Sequence, residues 1–479
     1  MTIIIPANTL ADAAFSVDNS CRFNDGDSPR LHKTLGTPTN VDKWTFSAWI
    51  KRGVLGINCC IFEGFNDDNN KTRIRIINND KLFFGNRIAG SFEGLVTTNR
   101  VLRDPSAWYH IVGIWDSDNA SAGSRMRLFV NGVEETSFTD ETQLNLAEVA
   151  KVGSGHVFNV GCSGTPDEFF DGYLAEVCFI DGQALTPTSF GEFDEDSPTI
   201  WKPIDVSGLT FGTNGFYLDF EDSSNLGNDA NGGTDFTEVN LAAVDQATDT
   251  PTNNFCIFNV LNPTFEGTNS EGNCKHLSSG SNWRAIYGTI PFTTGKWYAE
   301  FKMVADGSSA GPGVINIDAN IDNFLLTATH RGLGQQESGV AYLSNAQILD
   351  GGNTIKTGQT TWTDNDILGV AIDATNGFVY WHKNGTYMDG ATSGTTVGVP
   401  TSGGSGTGGY PLADLVAANG TYLFGVGGDD AWHVEANFGG CSAFTVSSAN
   451  ADADGYGAFE YAVPSGYFAL CTKNLAEYG

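Results

Sequence analysis

Short runs of apolar and aromatic residues alternate with turn-forming residues along this chain, and that spacing is typical of β-strands. Trp44–Ile50 and Trp108–Trp115 are rich in aromatic and β-branched residues. Arg125–Val130 alternates in part between polar and apolar positions and ends at Asn131-Gly132, the strongest short signal for a hairpin. Long amphipathic helix patterns are absent from the sequence, and the best short helical turn of the first half lies near Pro187–Phe190. The pattern therefore predicts an all-β fold.

The strand pattern occurs in two regions that a polar stretch separates. Asp219–Pro263 is rich in Asn, Asp, Gly and Thr and shows little periodicity, which favours an extended connection. We therefore predict one domain over residues 1–218, an extended polar connection over 219–263 and a second domain over 264–479. Each domain is long enough to bury its own core. Within the second domain, the Gly- and Ser-rich residues 389–409 are interpreted as a mobile loop tip.

Composition and charge narrow the classes of partner. Of the 479 residues, 59 are glycine and 32 are phenylalanine, which suits tight turns and aromatic packing between sheets. The formal net charge of −31 repels phosphate groups, so we predict no nucleic acid partner and no binding to anionic membranes. No stretch approaches the ~18–20 apolar residues of a membrane span, which argues against membrane insertion. The charge is interpreted as a solubilising surface, with attraction of divalent cations or of a basic partner as the alternative.

The nine cysteines show no metal-site or disulfide spacing. No Cys-x-x-Cys pair occurs, so the sequence does not support a zinc site. The first residues include the apolar run Ile3–Ile5, but they lack the basic region and the long apolar core of a signal peptide. We therefore expect folding in a reducing cytoplasm with mostly buried thiols.

Five segments of the first region, in order, carry a resemblance to a known superfamily. The strand Trp44–Lys51 is similar to the pattern F-T-x-x-x-W-x-K, with Trp44 in place of Phe, and Leu128–Gly132 is similar to L-Y-V-N-G. Trp108–Asp116, Asp171–Leu185 and the opening Ser20–Leu35 match further strands. Together these segments resemble the LamG-like, concanavalin A-like jelly rolls, which implies a sandwich of two antiparallel sheets.

The second region resembles a SPRY-like sandwich. Gly295–Lys302 is similar to the family strand G-x-x-Y-W-E-V, with Ala299 in place of Trp. Asp364–Gly385 is similar to the longer pattern that contains G-V-A-x-D and ends in K-N-G. The fold class predicted for the whole chain is thus all-β, with two antiparallel β-sandwiches in tandem.

The pairing of these two regions, together with Asp171–Ala230, resembles virion proteins of tailed phages of marine bacteria and cyanobacteria. That resemblance implies synthesis in the host cytoplasm, a place on the virion surface and other virion proteins as partners. It favours a tail fibre or fibre-like adhesin that binds a host surface glycan or protein. The alternative is a capsid-decorating, knob or tail-attachment protein without a receptor. Analogy with tail fibres leaves a homo-oligomer open, and Thr2–Leu10 is either a docking strand or the first strand of the jelly roll.

The best catalytic motif in the sequence is incomplete. Laminarinase-type glucanases with this fold carry their carboxylates in an E-x-D-x-x-E strand, and Glu192–Asp196 is similar to its first part. Position 197 is Ser197, however, so one required carboxylate is missing. His110 lies between aromatic residues in a strand and is predicted to be a satisfied core residue. We therefore predict no catalytic residues and a binding protein, not an enzyme; a glycan-cleaving enzyme is the least favoured alternative.

One loop has the composition of a ligand contact. Trp432 follows Asp429 and Asp430 in a glycine-rich segment and precedes His433. Sugar rings stack on exposed aromatic faces and their hydroxyl groups donate to carboxylates, so these four residues are the candidate ligand-binding group. The alternative is that Trp432 covers the core at the edge of a strand.

Calcium is the one cofactor that the sequence leaves open. Asp25 and Asp27 in the turn FNDGD form the best local pair of carboxylates and are the candidate metal ligands, although Ca²⁺ needs ~6–8 oxygen ligands. A second acidic cluster consists of Asp219, Glu221 and Asp222. The alternative for both groups is an ordinary solvated turn.

Overall fold

The computed structural model describes residues 15–262, 266–279, 283–305, 307, 309–318, 333–335, 338–390, 396–415 and 420–479. The predicted docking strand Thr2–Leu10 lies outside these residues. Within them, the chain forms two compact units that meet in sequence between Thr252 and Asn253. Both units consist almost entirely of antiparallel strand pairs, which confirms the predicted all-β fold class.

The first unit contains two eight-stranded sheets, called here sheet A and sheet B, and a small hairpin. Its strands are β1 Ser20–Phe23, β2 Arg30–Thr34, β3 Lys43–Arg52, β4 Cys59–Asp67, β5 Asn70–Ile76, β6 Lys81–Ile88, β7 Ser91–Val101, β8 Trp108–Asp116, β9 Met126–Val130, β10 Val133–Glu134, β11 Phe138–Thr142, β12 Val157–Val160, β13 Gly172–Asp181, β14 Gly191–Phe193, β15 Trp201–Pro203, β16 Phe216–Leu218, β17 Thr237–Val239 and β18 Gln246–Ala247. Single 3-10 turns lie at Asp25–Asp27, Ala122–Ser124, Pro187–Ser189 and Ala243–Asp245.

The strand orders of sheets A and B combine hairpins with pairings between strands that are distant in sequence. Sheet A runs β10-β9-β8-β3-β13-β1-β18, with β16 also paired to β13. Sheet B runs β11-β7-β6-β5-β4-β12-β2-β17, and β14 pairs with β15 as a separate hairpin. The predicted Asn131-Gly132 turn joins β9 to β10, with both turn residues at positive φ.

An aromatic core fills the space between sheets A and B. Alternate residues of β3 point inward, beginning with Trp44 and Phe46. The Trp44 ring stacks on Trp115 at 5.7 Å and meets the edges of Phe62 and Phe84 on sheet B at 5.8 and 5.6 Å. Burial of such large rings supplies the main driving force for closing the sandwich.

The outer face of sheet A is buried as well. Lys51 of β3 points to this face, and its Nζ lies 2.6 Å from Oδ2 of Asp249, with both side chains at most 1% exposed. The indole Nε1 of Trp108 donates to the other oxygen of Asp249 at 3.0 Å. Asp249 thereby fastens the end of the polar segment to the sheet.

The segment 219–252, which the sequence presents as part of a connection, thus belongs to the first unit. Its strand β17 extends the edge of sheet B beside β2, and β18 extends sheet A beside β1. These strands have only two or three residues, which is too short for a periodic pattern to appear in the sequence.

The second unit contains a nine-stranded sheet C and a six-stranded sheet D. Its strands are β19 Gly267–Ser270, β20 Lys275–Ser278, β21 Arg284–Tyr287, β22 Lys296–Ala305, β23 Ser309–Asn316, β24 Gly339–Tyr342, β25 Ile348–Asp350, β26 Asn353–Lys356, β27 Ile367–Asp373, β28 Phe378–Lys383, β29 Thr386–Tyr387, β30 Tyr410–Pro411, β31 Tyr422–Asp429, β32 His433–Asn437 and β33 Phe468–Ala469. Two 3-10 helices, Pro400–Ser405 and Leu412–Asp414, and one α-helix, α1 Thr472–Tyr478, complete its described elements.

Sheets C and D face each other across a second aromatic core. Sheet C runs β19-β20-β32-β22-β27-β28-β29, with β30 paired to β28 and the short β33 paired in parallel to β22. Sheet D runs β21-β31-β23-β24-β25-β26. Phe301 of sheet C contacts Phe424 of sheet D, and the indole N–H of Trp381 donates across the core to the Pro312 carbonyl at 3.0 Å.

The glycine-rich residues 396–409, interpreted from sequence as part of a mobile loop tip, are packed against the second unit. Pro400 is buried and its carbonyl accepts a hydrogen bond from the Tyr467 hydroxyl group at 2.9 Å. Gly406 has a φ of +56°, and a Cβ there would collide with the Phe378 ring. Glycine therefore serves close packing at this position.

All nine cysteines are buried, which confirms the predicted burial of the thiols. Burial raises the pKa of the Cys60 and Cys178 thiols well above the ordinary value, which keeps them protonated and unreactive. Nowhere in the described residues is there a helix with the length and hydrophobicity that a bilayer crossing requires.

Replacing Asp249 with alanine would leave the ammonium group of Lys51 buried without its carboxylate. We expect a loss of about 3–5 kcal/mol in the free energy of unfolding, measured by urea denaturation of the full chain. The matched control is Glu134→Ala, which removes the carboxylate from the partly exposed Arg127 pair and should cost at most about 1 kcal/mol. Equal losses in the two variants would contradict the fastening role of Asp249.

Candidate ligand-binding cavity

The predicted ligand-binding group lies on the hairpin between β31 and β32. Asp430 is exposed at its tip with a φ of +59°, and His433 begins β32. Trp432, however, is fully buried in the core of the second unit, with its ring 5.0 Å from that of His276. A sugar cannot stack on this indole, so the interpretation of Trp432 as a ligand platform is corrected to the alternative, a core residue. Asp429, Asp430 and His433 then lack the aromatic face that motivated the group.

The predicted metal ligands hold a turn together. Oδ2 of Asp27 accepts a hydrogen bond from the Asn24 side chain at 2.7 Å, and the backbone N–H of Asp25 donates to Oδ2 of Asp171 at 3.3 Å. In the part of the chain that the structure describes, no group of three or more His, Cys, Asp or Glu side chains is placed to hold a metal ion. Asp25 and Asp27 thus take part in the hydrogen bonds of a turn, and their role as metal ligands stays a prediction.

The incomplete catalytic motif forms an acidic hairpin. Nζ of Lys202 lies 3.4 Å from Oε1 of Glu192 and 3.2 Å from Oδ2 of Asp194. Asp194 also accepts a hydrogen bond from the backbone N–H of Ser197 at 2.8 Å. One lysine thus contacts both carboxylates and leaves the hairpin with net negative charge, which agrees with their interpretation as an acidic loop.

A serine and a histidine lie within hydrogen-bonding distance in the first unit, with Oγ of Ser47 2.8 Å from Nε2 of His110. The indole Nε1 of Trp201 lies 2.9 Å from Nδ1 of His110, and an indole N–H can only donate. Nδ1 is therefore the acceptor, and the proton of the neutral ring is on Nε2. Burial lowers the pKa of His110 to about 3, so the ring stays neutral. His110 cannot accept the Ser47 proton in this state and is a core residue, as predicted.

A cavity of about 380 Å³ opens beside β13 and β16, next to the small apolar cluster that covers the outer face of sheet A. We call it the acidic cavity, because its described lining includes the carboxyl groups of Asp18, Glu176, Asp205, Asp219 and Glu221. Phe211 and Tyr217, whose rings stack at 6.1 Å, form an aromatic part of the wall. The volume lies at the lower end of the ~300–1,000 Å³ range of small-molecule sites.

An irregularity of β13 places Glu176 in this cavity. The register between β13 and β3 shifts between Ala175 and Cys178, and Glu176 has a φ of +50°. A non-glycine residue in this conformation is strained, and such strain is concentrated at functional sites. The Glu176 side chain is 6% exposed, and its Oε2 accepts a hydrogen bond from the Tyr217 hydroxyl group at 2.7 Å. Its Oε1 makes no further hydrogen bond to the described residues and is accessible to solvent in the cavity.

Acidic groups in the described lining of the acidic cavity are not compensated by basic side chains. Burial raises the pKa of Glu176 to about 8, with the nearby carboxylates of Asp219 and Glu221 acting in the same direction. Burial also raises the pKa of Glu221, again together with neighbouring carboxylates. The described lining contains no lysine or arginine that could offset this repulsion. At neutral pH, Glu176 is therefore a protonated acid that can donate a hydrogen bond from the cavity floor.

Sequence reasoning found this site only in part. Asp219 and Glu221 belong to the acidic cluster that the sequence shows, but their neighbours Asp18 and Asp205 lie far from them along the chain. Glu176 lies inside the segment Asp171–Leu185, which matches a strand of the jelly-roll superfamily, and there the sequence predicts an ordinary strand residue. Its acidity in an otherwise apolar stretch was the one available signal.

The comparisons with known proteins support the fold of the first unit. Residues 25–189 match the sequence profile of the Laminin_G_3 family, described as the concanavalin A-like lectin/glucanases superfamily. This confirms the predicted relationship over about a third of the chain. No curated protein sequence matches the chain.

Solved structures with partial similarity come from several organisms. A heptameric SAP-like pentraxin from Limulus polyphemus is 20% identical, with 36% of this chain and 80% of that chain covered and a TM-score of 0.28. Domain 4 of AbnA, a GH43 extracellular arabinanase from Geobacillus stearothermophilus solved with arabinotriose, is 19% identical, with coverages of 31% and 64% and a TM-score of 0.23. The SPRY domain of human HERC1 is 14% identical, with coverages of 39% and 94% and a TM-score of 0.23.

Substituting Glu176 with glutamine should flatten the pH dependence of stability. The Glu176 pKa of about 8 lies above the ordinary 4.5, so between these values the folded chain holds a proton that the unfolded chain has released. Stability is therefore fully present below about pH 4.5 and falls as the pH rises through 8. Glutamine cannot titrate, yet its amide oxygen can still accept from Tyr217. We expect the decrease in melting temperature from about pH 5 to about pH 8.5 to be smaller by at least ~3 °C in Glu176→Gln.

Differential scanning calorimetry of the full chain provides the measurement. Glu300 in the second unit also has a raised pKa, of about 7, but it is present in both proteins and cancels in the comparison. Glu192→Gln, at an exposed carboxylate outside the cavity, is the matched control and should retain the pH dependence of the parent. A Glu176→Gln profile parallel to the parent would show that Glu176 titrates normally.

Proposed function

We propose that this chain is a virion-surface protein of a tailed phage that binds a host surface glycan, and that the acidic cavity of the first unit is its binding site. The observation that carries the proposal is the cavity itself, which places a buried carboxyl group below a rim of carboxylates on a lectin-superfamily sandwich. Concave sites with a few convergent polar groups are the usual form of small-ligand sites.

The chemistry of the cavity suits a polyhydroxylated ligand. Sugar hydroxyl groups donate hydrogen bonds, and the carboxylates of Asp205, Asp219 and Glu221 are strong acceptors. Protonated Glu176 supplies the complementary donor for a ring or hydroxyl oxygen at the floor. The partly exposed ring of Tyr217 offers an apolar surface to the C–H face of a sugar.

The proposal is for binding without cleavage. Glycoside hydrolysis in most families needs two carboxyl groups that flank the scissile bond. The strand motif that would supply them is broken at Ser197, and Lys202 engages both Glu192 and Asp194. A carbohydrate-binding protein therefore fits these residues better than a glucanase.

The proposed location on the virion surface is based on the sequence resemblance of the two tandem β-sandwiches to phage virion proteins. In that setting the second unit contacts other virion proteins, and the first unit meets the host. A tail fibre or fibre-like adhesin would use the cavity, whereas a decorating or tail-attachment protein would leave it unused. Binding to cells separates these two roles.

Fluorescently labelled full-length chain should bind saturably to marine cyanobacterial cells and to their isolated envelope polysaccharide. We expect Asp18→Asn/Glu221→Gln, which removes two exposed charges from the cavity rim, to weaken this binding at least tenfold. The control Asp118→Asn/Asp140→Asn removes two exposed charges elsewhere in the first unit and should bind as the parent does. Flow cytometry with and without calcium gives the measurement.

Each alternative has its own outcome. A well-folded chain that binds neither cells nor polysaccharide, but binds purified virions lacking it, would replace the adhesin with the decorating role. Release of reducing sugar from the polysaccharide would contradict binding without cleavage. Equal weakening in both double variants would mean that overall charge, and not the cavity, determines the binding.

A further inference from the structure

Lys33 of β2 and Asp229, which lies between β16 and β17, form a shielded pair of side chains in the first unit. Nζ of Lys33 is 3.5 Å from Oδ2 of Asp229, and the two side chains are 11% and 0% exposed. The ammonium group also lies over the rings of Phe216 and Phe236, at 4.9 and 4.6 Å from their centroids. Burial and aromatic rings thus keep most water away from the amine.

The surroundings of the Asp229 carboxyl group distinguish its two oxygens. Oδ1 accepts hydrogen bonds from the backbone N–H groups of Tyr217 at 3.0 Å and Asn231 at 3.2 Å. Among the described residues, Oδ2 is buried and has no hydrogen-bond partner. Two donors on one oxygen stabilise the negative charge that develops there when a nucleophile adds to the carboxyl carbon. Oδ2 is then the oxygen that can leave.

The amine of Lys33 has the environment of a nucleophile. Burial lowers the pKa of Lys33, and the opposing attraction of the Asp229 and Asp235 carboxylates does not offset that effect. Only a neutral amine attacks a carboxyl carbon, so a lowered pKa increases the reactive fraction. Nζ also donates a hydrogen bond to the Thr234 carbonyl at 3.2 Å, which orients the group.

A second lysine–aspartate pair in the same unit has similar contacts and serves as a comparison. Oδ1 of Asp194 accepts from the backbone N–H groups of Asp196 and Ser197, and its Oδ2 lies 3.2 Å from Nζ of Lys202. This lysine donates a hydrogen bond to the carboxylate, and that hydrogen bond raises the pKa of Lys202. The pair at Asp229 therefore differs from an ordinary ion pair in the direction of the lysine pKa and in its unpaired buried oxygen.

We propose that Lys33 and Asp229 become joined by an isopeptide bond, an amide between Nζ of the lysine and Cγ of the aspartate, once the first unit has folded. The bond between Cγ and Oδ2 breaks. Two of the three ammonium protons leave with Oδ2 as water, and the third stays on the amide nitrogen. An ion pair thus becomes one amide and one water molecule, so the reaction needs no oxidant, reductant or other co-reactant.

A second carboxylate lies beside the reacting groups. Oδ1 of Asp235 accepts the backbone N–H of Asp229 at 3.0 Å, and its charge acts on Lys33. Hydrogen bonds from the Asp229 backbone and the Asn225 side chain hold the pKa of Asp235 below its ordinary value, so it is ionised at neutral pH. An ionised carboxylate here can take a proton from Nζ and pass it to Oδ2, which makes Asp235 the proton carrier of the reaction.

The isopeptide bond fixes a wall of the acidic cavity to sheet B. Tyr217 and Asn231, whose N–H groups hold Asp229, also line that cavity. Lys33 lies in β2, which pairs with β12 and β17 in sheet B. The bond removes a buried ion pair and closes a long loop of the chain, and both changes favour the folded state. This inference concerns covalent structure and does not depend on glycan binding.

Mass spectrometry of the full-length chain, denatured and reduced, tests the proposal without any variant. The measured mass should lie one water molecule, about 18 Da, below the mass calculated from the sequence with its observed N-terminus. After proteolysis, a branched peptide should join Lys33 to Asp229, whereas Lys202 and Asp194 should occur in unbranched peptides. A chain with the full calculated mass overturns the proposal. Water loss located in an unbranched peptide also overturns it, because cyclisation of an aspartate to a succinimide releases water too.

Three variants test the assigned roles. Lys33→Arg keeps the charge but cannot form the amide, so we expect no water loss and a melting temperature lower by at least ~5 °C in differential scanning calorimetry. Lys202→Arg, the matched control, should retain the branched peptide and the melting temperature of the parent. Asp235→Asn should slow the linkage at least tenfold, measured as the linked fraction over time during cell-free synthesis. Linkage as fast as in the parent would contradict the role of Asp235 as proton carrier.

Discussion

The pairing of Lys51 with Asp249 is the interaction on which the architecture of the first unit depends. Lys51 puts a charge on the outer face of sheet A, and an unpaired buried charge costs several kcal/mol. The chain must therefore return across that face and end its crossing at Asp249. The apolar cluster beside β13 is covered by an earlier part of the chain that includes Phe190, Val206 and Phe211, and the acidic cavity opens beside this cover.

A buried carboxyl group plays a similar part in the second unit. Glu300 of β22 accepts the backbone N–H groups of Glu460 and Tyr461 at 2.8 Å each, which ties the irregular C-terminal segment to sheet C. Tyr298 donates to Glu300 at 2.9 Å and accepts from Nε2 of His382 at 2.6 Å, because Nδ1 of that ring already accepts from Gly385. Each donor in this network has an acceptor, which is expected where a buried polar group stabilises the fold.

The sequence predicted the elements that local chemistry determines and missed those that distant contacts determine. Both sandwiches follow from aromatic strands and glycine turns, whose signals lie within a few adjacent residues. The short strands of 219–252 pair with an edge of each sheet, and Asp249 of the same segment pairs with Lys51. These contacts join residues that are distant in sequence, so the composition of the segment by itself indicates a loop. The sequence predicts Trp432 as a ligand contact because two aspartates and several glycines precede it. Its burial depends on residues that are distant in sequence, so the local composition does not indicate it. The bulge that turns Glu176 into the cavity arises from register with β3, which one strand alone does not encode.

The contrast between Glu300 and Glu176 separates a structural acid from a candidate binding group. Both are buried, and in both the pKa is raised, so neither burial nor acidity distinguishes them. Glu300 has four donors within 3.4 Å, whereas Glu176 has one and lies at the register shift of β13 with a φ of +50°. Glu176 is a candidate binding group because it lines a cavity, has one hydrogen-bond donor and lies at an irregularity of its strand.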